Sequence, residues 1–273
     1  MRRALAEDLG RGDLTTAAVV PAGALARARV EQREPGVIFG LEAAAEVFRQ
    51  AGGGKLEFRA AAEEGVWREG GEVAAIDGPA AGLLAGERLA LNLLCRLSGV
   101  ATLAARYVEA VAGTGTGILD TRKTTPGLRE LEKEAVVAGG GVSHRAGLYD
   151  AILVKENHAL LAGGVGKAAR LALANRGDAA FVEIEVESLA ELDEVLDAGV
   201  DRVLLDDMSL EDLREGTRRA HAAGATAEAS GGVSLEAVRA VAETGVDFIS
   251  VGALTHSAPA LDLSLLLEPD PQR

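Results

Sequence analysis

The hexapeptide FVEIEV, residues 181–186, decides the architecture of this chain. Acidic and apolar residues alternate in it. It therefore reads as a strand with Glu183 and Glu185 on one face and Val182, Ile184 and Val186 on the other. Both faces are expected to be covered, because short strands alternate with helical patterns on either side. GILDT, AILVK, RVLLDD, ATAEAS and FISVGA read as further strands. The helical strings between them run over residues 126–139, 163–176, 189–200, 210–224 and 235–245. Leu189, Leu192, Val195 and Leu196 form an apolar stripe at helical spacing, and Gly199, Gly224 and Gly245 stand where helices end. Such alternation implies right-handed crossovers and a parallel sheet, either open and doubly wound or closed into a barrel. An open sheet would bury both glutamates against helices at high cost, whereas a barrel turns one face inward, towards a ligand-binding mouth. The expectation is an α/β barrel with fewer than the usual eight strands, since six are clear.

The first hundred residues read differently. Residues 24–40 and 55–79 look like antiparallel strands with Gly-rich turns, and LEAAAEVFRQAG between them looks like a helix. Residues 1–99 are expected to form a separate α+β domain and residues 100–256 the barrel. Residues 86–113 form a long helical stretch with a break expected at Gly99, and the final EPDPQR is expected to fray.

Composition excludes several function classes. The chain has 273 residues, 48 % of them hydrophobic, so a large core is available. Its 28 Lys/Arg against 42 Asp/Glu give a net charge of −14, which argues against nucleic-acid or anionic-membrane partners. Cys95 is the single cysteine, which excludes disulfide frameworks and Cys-based zinc sites within one chain. That usage fits a reducing cytoplasm. No stretch of 18 or so uncharged apolar residues is seen, nor an apolar signal core before Glu7 and Asp8.

The charge is unevenly placed. Residues 120–158 hold six Lys/Arg and six Asp/Glu, so the segment is neutral on a strongly acidic protein. Arg122 and Lys123, His144 and Arg145, and Lys155 lie at or just after strand ends, where a barrel builds its active site. They suggest an anionic small ligand, the bland alternative being solvated faces. Arg129, Glu130, Glu132, Lys133 and Glu134, spaced as helical pairs, are expected to be such a face. Glu185 and Asp206, near the ends of consecutive strands, could bind Mg²⁺ or ligand hydroxyls, or pair with Lys155 or Arg122. Ser230-Gly231-Gly232, before a helix expected near Ser234, and Val251-Gly252-Ala253 read as backbone phosphate turns. LLDDMS superficially matches the phosphate loop of doubly wound phosphoribosyltransferases, but Met208, Ser209 and Leu210 replace the small hydroxyl and glycine residues such a loop needs. Cys95, among leucines, reads as a core thiol, His221 as a surface group and Trp67 as packing for the N-terminal domain; His256 is open.

Taken together, DTRKTTPGLRELEKEAVVAGGGVSHRAGLYDAILVKENH (120–158), EDLGRGDLTT (7–16), PGVIFG (35–40), ERLALNLLCRLSGVAT (87–102), VEIEVES, LLDDMS, EASGGV and VGALTHSAPALDLSL resemble the quinolinate phosphoribosyltransferase family over nearly the whole chain. The resemblance implies an N-terminal α/β sandwich followed by an incomplete type II α/β barrel, with residues 257–273 returning to the first domain. It implies transfer of phosphoribose from PRPP to quinolinate with loss of CO₂, on the way to NAD, with Mg²⁺ and no organic cofactor. It implies a homodimer or larger assembly in which Arg88 reaches the neighbour's site. Arg122, Lys123, His144, Arg145 and Lys155 match the family's substrate-binding cations, Glu185 (preferred to Glu183) and Asp206 its acidic pair, and Ser230, Gly231, Gly232, Val251, Gly252 and Ala253 its phosphate turns. Ser143 and Glu156 depart mildly, standing where Asn and Asp are common. The alternatives are a related transferase acting on nicotinate or another ring acid, a molybdenum-operon paralogue, a barrel enzyme for an unrelated sugar phosphate, and a non-enzymatic anion sensor.

Overall fold

The computed structural model of the chain describes residues 1–269; the last four residues of the EPDPQR tail lie outside them. Two compact units are present. One holds residues 1–103, 138–140 and 258 onward, the other residues 104–137 and 141–257.

In the first unit, β1 (Leu25–Gln32) buries every second residue, Ala26, Ala28, Val30 and Gln32. β2 (Gly36–Val37) pairs antiparallel with β4 (Trp67–Arg68). β3 (Glu57–Ala60) and β5 (Gly71–Pro79) join β1 in one antiparallel sheet, with β5 between them. The helix Leu41–Ala51 lays Val47 and Phe48 against the core, Phe48 stacking on Phe58 of β3 at 6.1 Å. Trp67, expected to pack this domain, lies on its strand β4 with 43 % of its surface exposed. Cys95 is half-buried, and burial pushes its thiol pKa up, as suits an inert packing group.

The helix Ala80–Ala110 is continuous, which corrects the break expected at Gly99. Glycine is needed there for space and not for flexibility: a Cβ at Gly99 would sit 2.0 Å from the carbonyl oxygen of Pro259. By length and composition this helix could span a bilayer, but most of its apolar window is buried in the protein, as in a core helix.

The second unit contains the six expected parallel strands, β6 (Gly117–Leu119), β7 (Ile152–Val154), β8 (Val182–Val186), β9 (Arg202–Asp206), β10 (Thr226–Ser230) and β11 (Phe248–Ser250). Their order across the sheet is β6-β11-β10-β9-β8-β7. Each strand from β7 to β10 lies beside its successor, and β6, the first strand of this sheet, pairs with β11, the last. That is the order of a barrel wound in one direction; a doubly wound sheet would reverse at a switch point. The circle is open between β6 and β7. There the outer edge of β6 takes only a one-residue bridge to Val142. All five residues of β8 are buried, so both of its faces are covered as expected. Gly199, Gly224 and Gly245 follow their helices with φ of +84°, +79° and +93°, the left-handed conformation of helix ends. The last strand, β12 (Leu263–Pro269), belongs to the first unit and runs antiparallel to β1.

Candidate active site

The site lies in the second unit at the C-terminal ends of the barrel strands. A cavity of about 300 Å³ is lined by Arg122, Lys123, His144, Arg145 and Lys155 together with Asp120, Glu228, Ser230 and Ser250. Five cationic residues singled out in the sequence therefore converge on one space. Three of them, Arg122, Lys123 and Arg145, have no carboxylate partner among the described residues. Among the described residues Arg122 and Lys123 form no side-chain ion pair, and the Nε of Arg122 is buried without a hydrogen-bond partner. Arg145 is 7 % exposed, and its Nη1 has only the carbonyl of Ala151, at 3.4 Å. Burial, and then the positive Arg122 nearby, loosens Arg145's hold on its proton. Lys155 is paired through Nζ to Oε2 of Glu185, and His144 through Nε2 to Glu183 and Glu228. Buried donors without acceptors are costly, so the cavity is built for an anion with several oxygens.

The acidic candidates separate by depth. Glu185 stands beside Lys155, and Asp206, half-buried at the end of β9, has no side-chain partner among the described residues. Glu183 lies deeper, in a charge cluster that the sequence did not reveal. Its Oε1 accepts from Nε of Arg202 at 2.7 Å, and its Oε2 lies 2.9 Å from Nε2 of His144. Arg202 reaches Glu228 at 2.7 Å through Nη2, and His144 lies 3.4 Å from the same carboxylate. The guanidinium of Arg202 is also stacked over Phe181, 4.5 Å from the ring centroid. His144, Glu183 and Glu228 are close enough to hold a metal, but Arg202 already joins the two carboxylates. Burial disfavours the His144 cation, yet Glu183 and Glu228 outweigh it and raise the imidazole pKa to about 9. Burial also opposes ionisation of Glu228, but His144 and Arg202 hold its carboxylate well below the usual range.

This cluster has a measurable consequence. Stability that His144 draws from its carboxylates is complete below its ordinary value of 6.5 and is lost as the pH rises through about 9. Glu183→Gln removes the nearer carboxylate and is expected to bring the His144 titration down towards 6.5. With four histidines in the chain, imidazole NMR resolves it, and a titration unmoved by the substitution would show that Glu183 does not set the charge of His144.

The glycine turns are placed by close backbone approach. Gly231 has φ +101°, and a Cβ there would come within 2.8 Å of the backbone nitrogen of Asp207. Asp207, itself left-handed at φ 53°, donates that N–H to the carbonyl of Ser230 at 3.1 Å. The loops after β9 and β10 are thus interlocked. The helix after Gly232 begins at Val238, later than expected, and a turn capped by Ser234 precedes it. Gly252 has ordinary helical dihedrals, and a Cβ there would come within 2.9 Å of Cδ of Lys123, so glycine leaves room for that side chain. Val251 is buried, and Gly252 and Ala253 are half-buried at the start of a one-turn helix. His221 pairs with Asp247 at 2.9 Å on the surface, and exposed His256 contacts Ser257. Arg88 belongs to the first unit, exposed on the helix Ala80–Ala110.

The expected solvated face at residues 129–134 is corrected in part. Glu132 and Lys133 are buried, and Arg129 is half-buried. Lys133 donates from Nζ to Asp120, which is fully buried and also accepts the backbone N–H of His144 at 2.9 Å. The helix Arg129–Ala138 turns these groups inward and leaves Glu130 and Glu134 exposed. The positions i, i+3 and i+4 did carry the signal of one shared face, but charge at all of them reads as solvent in a sequence.

An incomplete barrel whose mouth concentrates unpaired cations defines an enzyme-like site for a small polyanion. The chain belongs to the quinolinate phosphoribosyltransferase family: the family's C-terminal domain matches residues 100–266 and its N-terminal domain residues 13–98. It is 43 % identical to the nicotinate-nucleotide pyrophosphorylase (carboxylating) of Mycobacterium leprae, over 97 % of this chain and 95 % of that one. It is 46 % identical to the human protein of that name, over 71 % of this chain and 67 % of that one. Among solved structures, NadC from Streptococcus pyogenes superposes with a TM-score of 0.92 at 38 % identity, covering 98 % of this chain and 95 % of that one.

Proposed function

We propose that the protein transfers the phosphoribosyl group of PRPP to quinolinate and releases pyrophosphate and CO₂, giving nicotinate mononucleotide for NAD synthesis. The observation that carries this reading is the convergence of Arg122, Lys123, His144, Arg145 and Lys155 on one cavity, with Arg122, Lys123 and Arg145 free of acidic partners among the described residues. Quinolinate is a dianion, and planar guanidinium forks suit its carboxylates. Arg122, Arg145 and Lys155 would hold these carboxylates, with Arg88 added from a second copy in a homodimer. Lys123 would meet the leaving phosphates. Backbone N–H groups of Ser230, Gly231, Gly232, Val251, Gly252 and Ala253 would bind the ribose phosphate.

Glu185 and Asp206 would receive ribose hydroxyls or Mg²⁺. The Asp206 carboxylate has no side-chain partner among the described residues, and Glu185 shares one oxygen with Lys155, so hard oxygen donors of the kind Mg²⁺ takes are present. Bound with PRPP, Mg²⁺ would offset the charge that develops on pyrophosphate. The pyridine nitrogen attacks the anomeric carbon as its bond to pyrophosphate oxygen breaks. No enzyme nucleophile is needed, and no Ser/His/Asp or Cys/His arrangement occurs among the cavity side chains. The quaternised ring then loses CO₂ from the adjacent carbon, the electron pair stays on that carbon, and a proton from solvent replaces the carboxylate. The reducing conditions suggested by one free cysteine would place this chemistry in the cytoplasm.

The test is end-point chemistry. Protein, Mg²⁺ and PRPP are mixed with quinolinate or with nicotinate. Mononucleotide with equimolar CO₂ from quinolinate alone is the expected result. Product from nicotinate would move the protein to a non-decarboxylating reaction, and no product from either would overturn the reading.

A further inference from the structure

The cationic residues of the cavity ride on two loops. Residues 121–125, after β6, carry Arg122 and Lys123; residues 143–147 carry His144 and Arg145. Neither loop has regular structure, yet a polyanion can be read only if the two hold a fixed spacing. One side chain touches both. Arg129 donates from Nε to the Thr124 hydroxyl at 3.0 Å and from Nη2 to the carbonyl of Arg122 at 3.4 Å. From Nη1 it donates to the carbonyl of Ala146, on the other loop, at 3.3 Å. Three acceptors on two loops thus share one planar fork. One turn further along the same helix face, Glu132 accepts the backbone N–H of Thr125 at 2.9 Å and its hydroxyl at 2.7 Å, which fixes the end of the first loop.

We propose that Arg129, backed by Glu132, is the positioning residue that sets the separation of Arg122 and Arg145, and through it the preference for a ligand with two neighbouring carboxylates. Arg129 does not line the cavity, so it acts through the loops and not by touching the ligand. The ligand class rests on the function proposed above; the bracing of the two loops does not. A guanidinium is required because an ammonium on a flexible stem cannot address three acceptors in one plane. If Arg129 supplied only positive charge to the region, lysine would replace it.

The experiment compares Arg129→Lys, Arg129→Met, Glu132→Gln and Glu132→Ala with the unaltered protein. Hydrogen exchange is followed in peptides covering 120–128 and 142–150, and KM for quinolinate and for PRPP is measured separately. In Arg129→Lys and Arg129→Met both loops are expected to exchange at least about 10-fold faster together. KM for quinolinate should rise by about 10- to 100-fold, the cost of roughly ångström misplacement of binding groups, with a much smaller change for PRPP. Glu132→Gln keeps an acceptor for Thr125 and should recover most of what Glu132→Ala loses. Full rescue by lysine, acceleration of one loop only, or equal loss for both substrates would each overturn the proposal. A protein without activity on quinolinate would sink the proposed reaction. The exchange data would still decide the bracing, and the binding of benzene-1,2-dicarboxylate as a probe would decide the ligand preference.

Discussion

Arg145→Ala is expected to lower kcat/KM for quinolinate by about 10²- to 10³-fold, the usual cost of removing one preorganised donor to a developing or bound oxyanion. The fold should be almost untouched. Arg145 is buried, but among the described residues its guanidinium has no carboxylate on it, and its one acceptor there is a carbonyl at 3.4 Å, a long contact. It also lies close enough to Arg122 for the two charges to repel. The loop that carries it is held independently, because Asp150 accepts the backbone N–H groups of Ala146 and Gly147 at 2.7 and 2.9 Å. Removing the side chain therefore relieves repulsion and leaves the loop's own ties in place. A melting temperature within a few degrees of the unaltered protein, together with the loss of activity, is the expected pair of results. Arg145→Lys should recover only part of the activity, since a point charge cannot grip a carboxylate with two parallel bonds. Near-normal turnover in Arg145→Ala would remove this residue from the site. A large drop in melting temperature would show that it serves the fold instead.

The barrel was legible because short apolar runs, among them the alternating FVEIEV, recur between helical patterns with a period near 3.6 over more than a hundred residues, with glycines at the helix ends. The cavity cations were legible because Arg122 and Lys123 stand in a turn and His144 and Arg145 after three glycines, so neither pair has a helix face to explain it. What sequence could not separate was charge facing water from charge facing charge. Lys133 and Glu130 look alike as letters in a helix, yet one is buried on Asp120 and the other exposed. Arg202 and Glu228 were missed for a related reason. Each lies in a short, mostly apolar strand, and only the parallel register sets Arg202 opposite Glu183 and within reach of Glu228 on the next strand. The continuity of the helix through Gly99 was equally hidden. The partner that demands glycine there, the backbone at Pro259, lies far along the chain.

Lys133→Met is expected to destabilise the protein by about 3–5 kcal/mol, the cost of leaving one member of a buried ion pair without its partner. At roughly 2–4 °C per kcal/mol for a protein of this size, the melting temperature should fall by about 10 °C. Asp120 is fully buried and receives the Lys133 ammonium, the His144 backbone N–H at 2.9 Å and the Ser143 hydroxyl at 3.3 Å. Methionine fills similar space but offers no donor, so the carboxylate keeps two neutral donors against full desolvation. Burial already pushes the Asp120 pKa up, and Lys133 is the chief force holding it down. Without that ammonium the carboxyl takes a proton more readily. The stability deficit of Lys133→Met should therefore shrink as the pH is lowered, because the neutral acid no longer needs a counter-charge. Asp120→Asn added to Lys133→Met should restore much of the loss at pH 8. The amide oxygen still accepts from the His144 N–H, and no charge is left buried. A double variant as unstable as Lys133→Met alone would mean that packing, and not the ion pair, accounts for the effect. Recovery of stability with KM for quinolinate still raised would show that the Asp120–Lys133 pair also fixes His144 beneath the cavity.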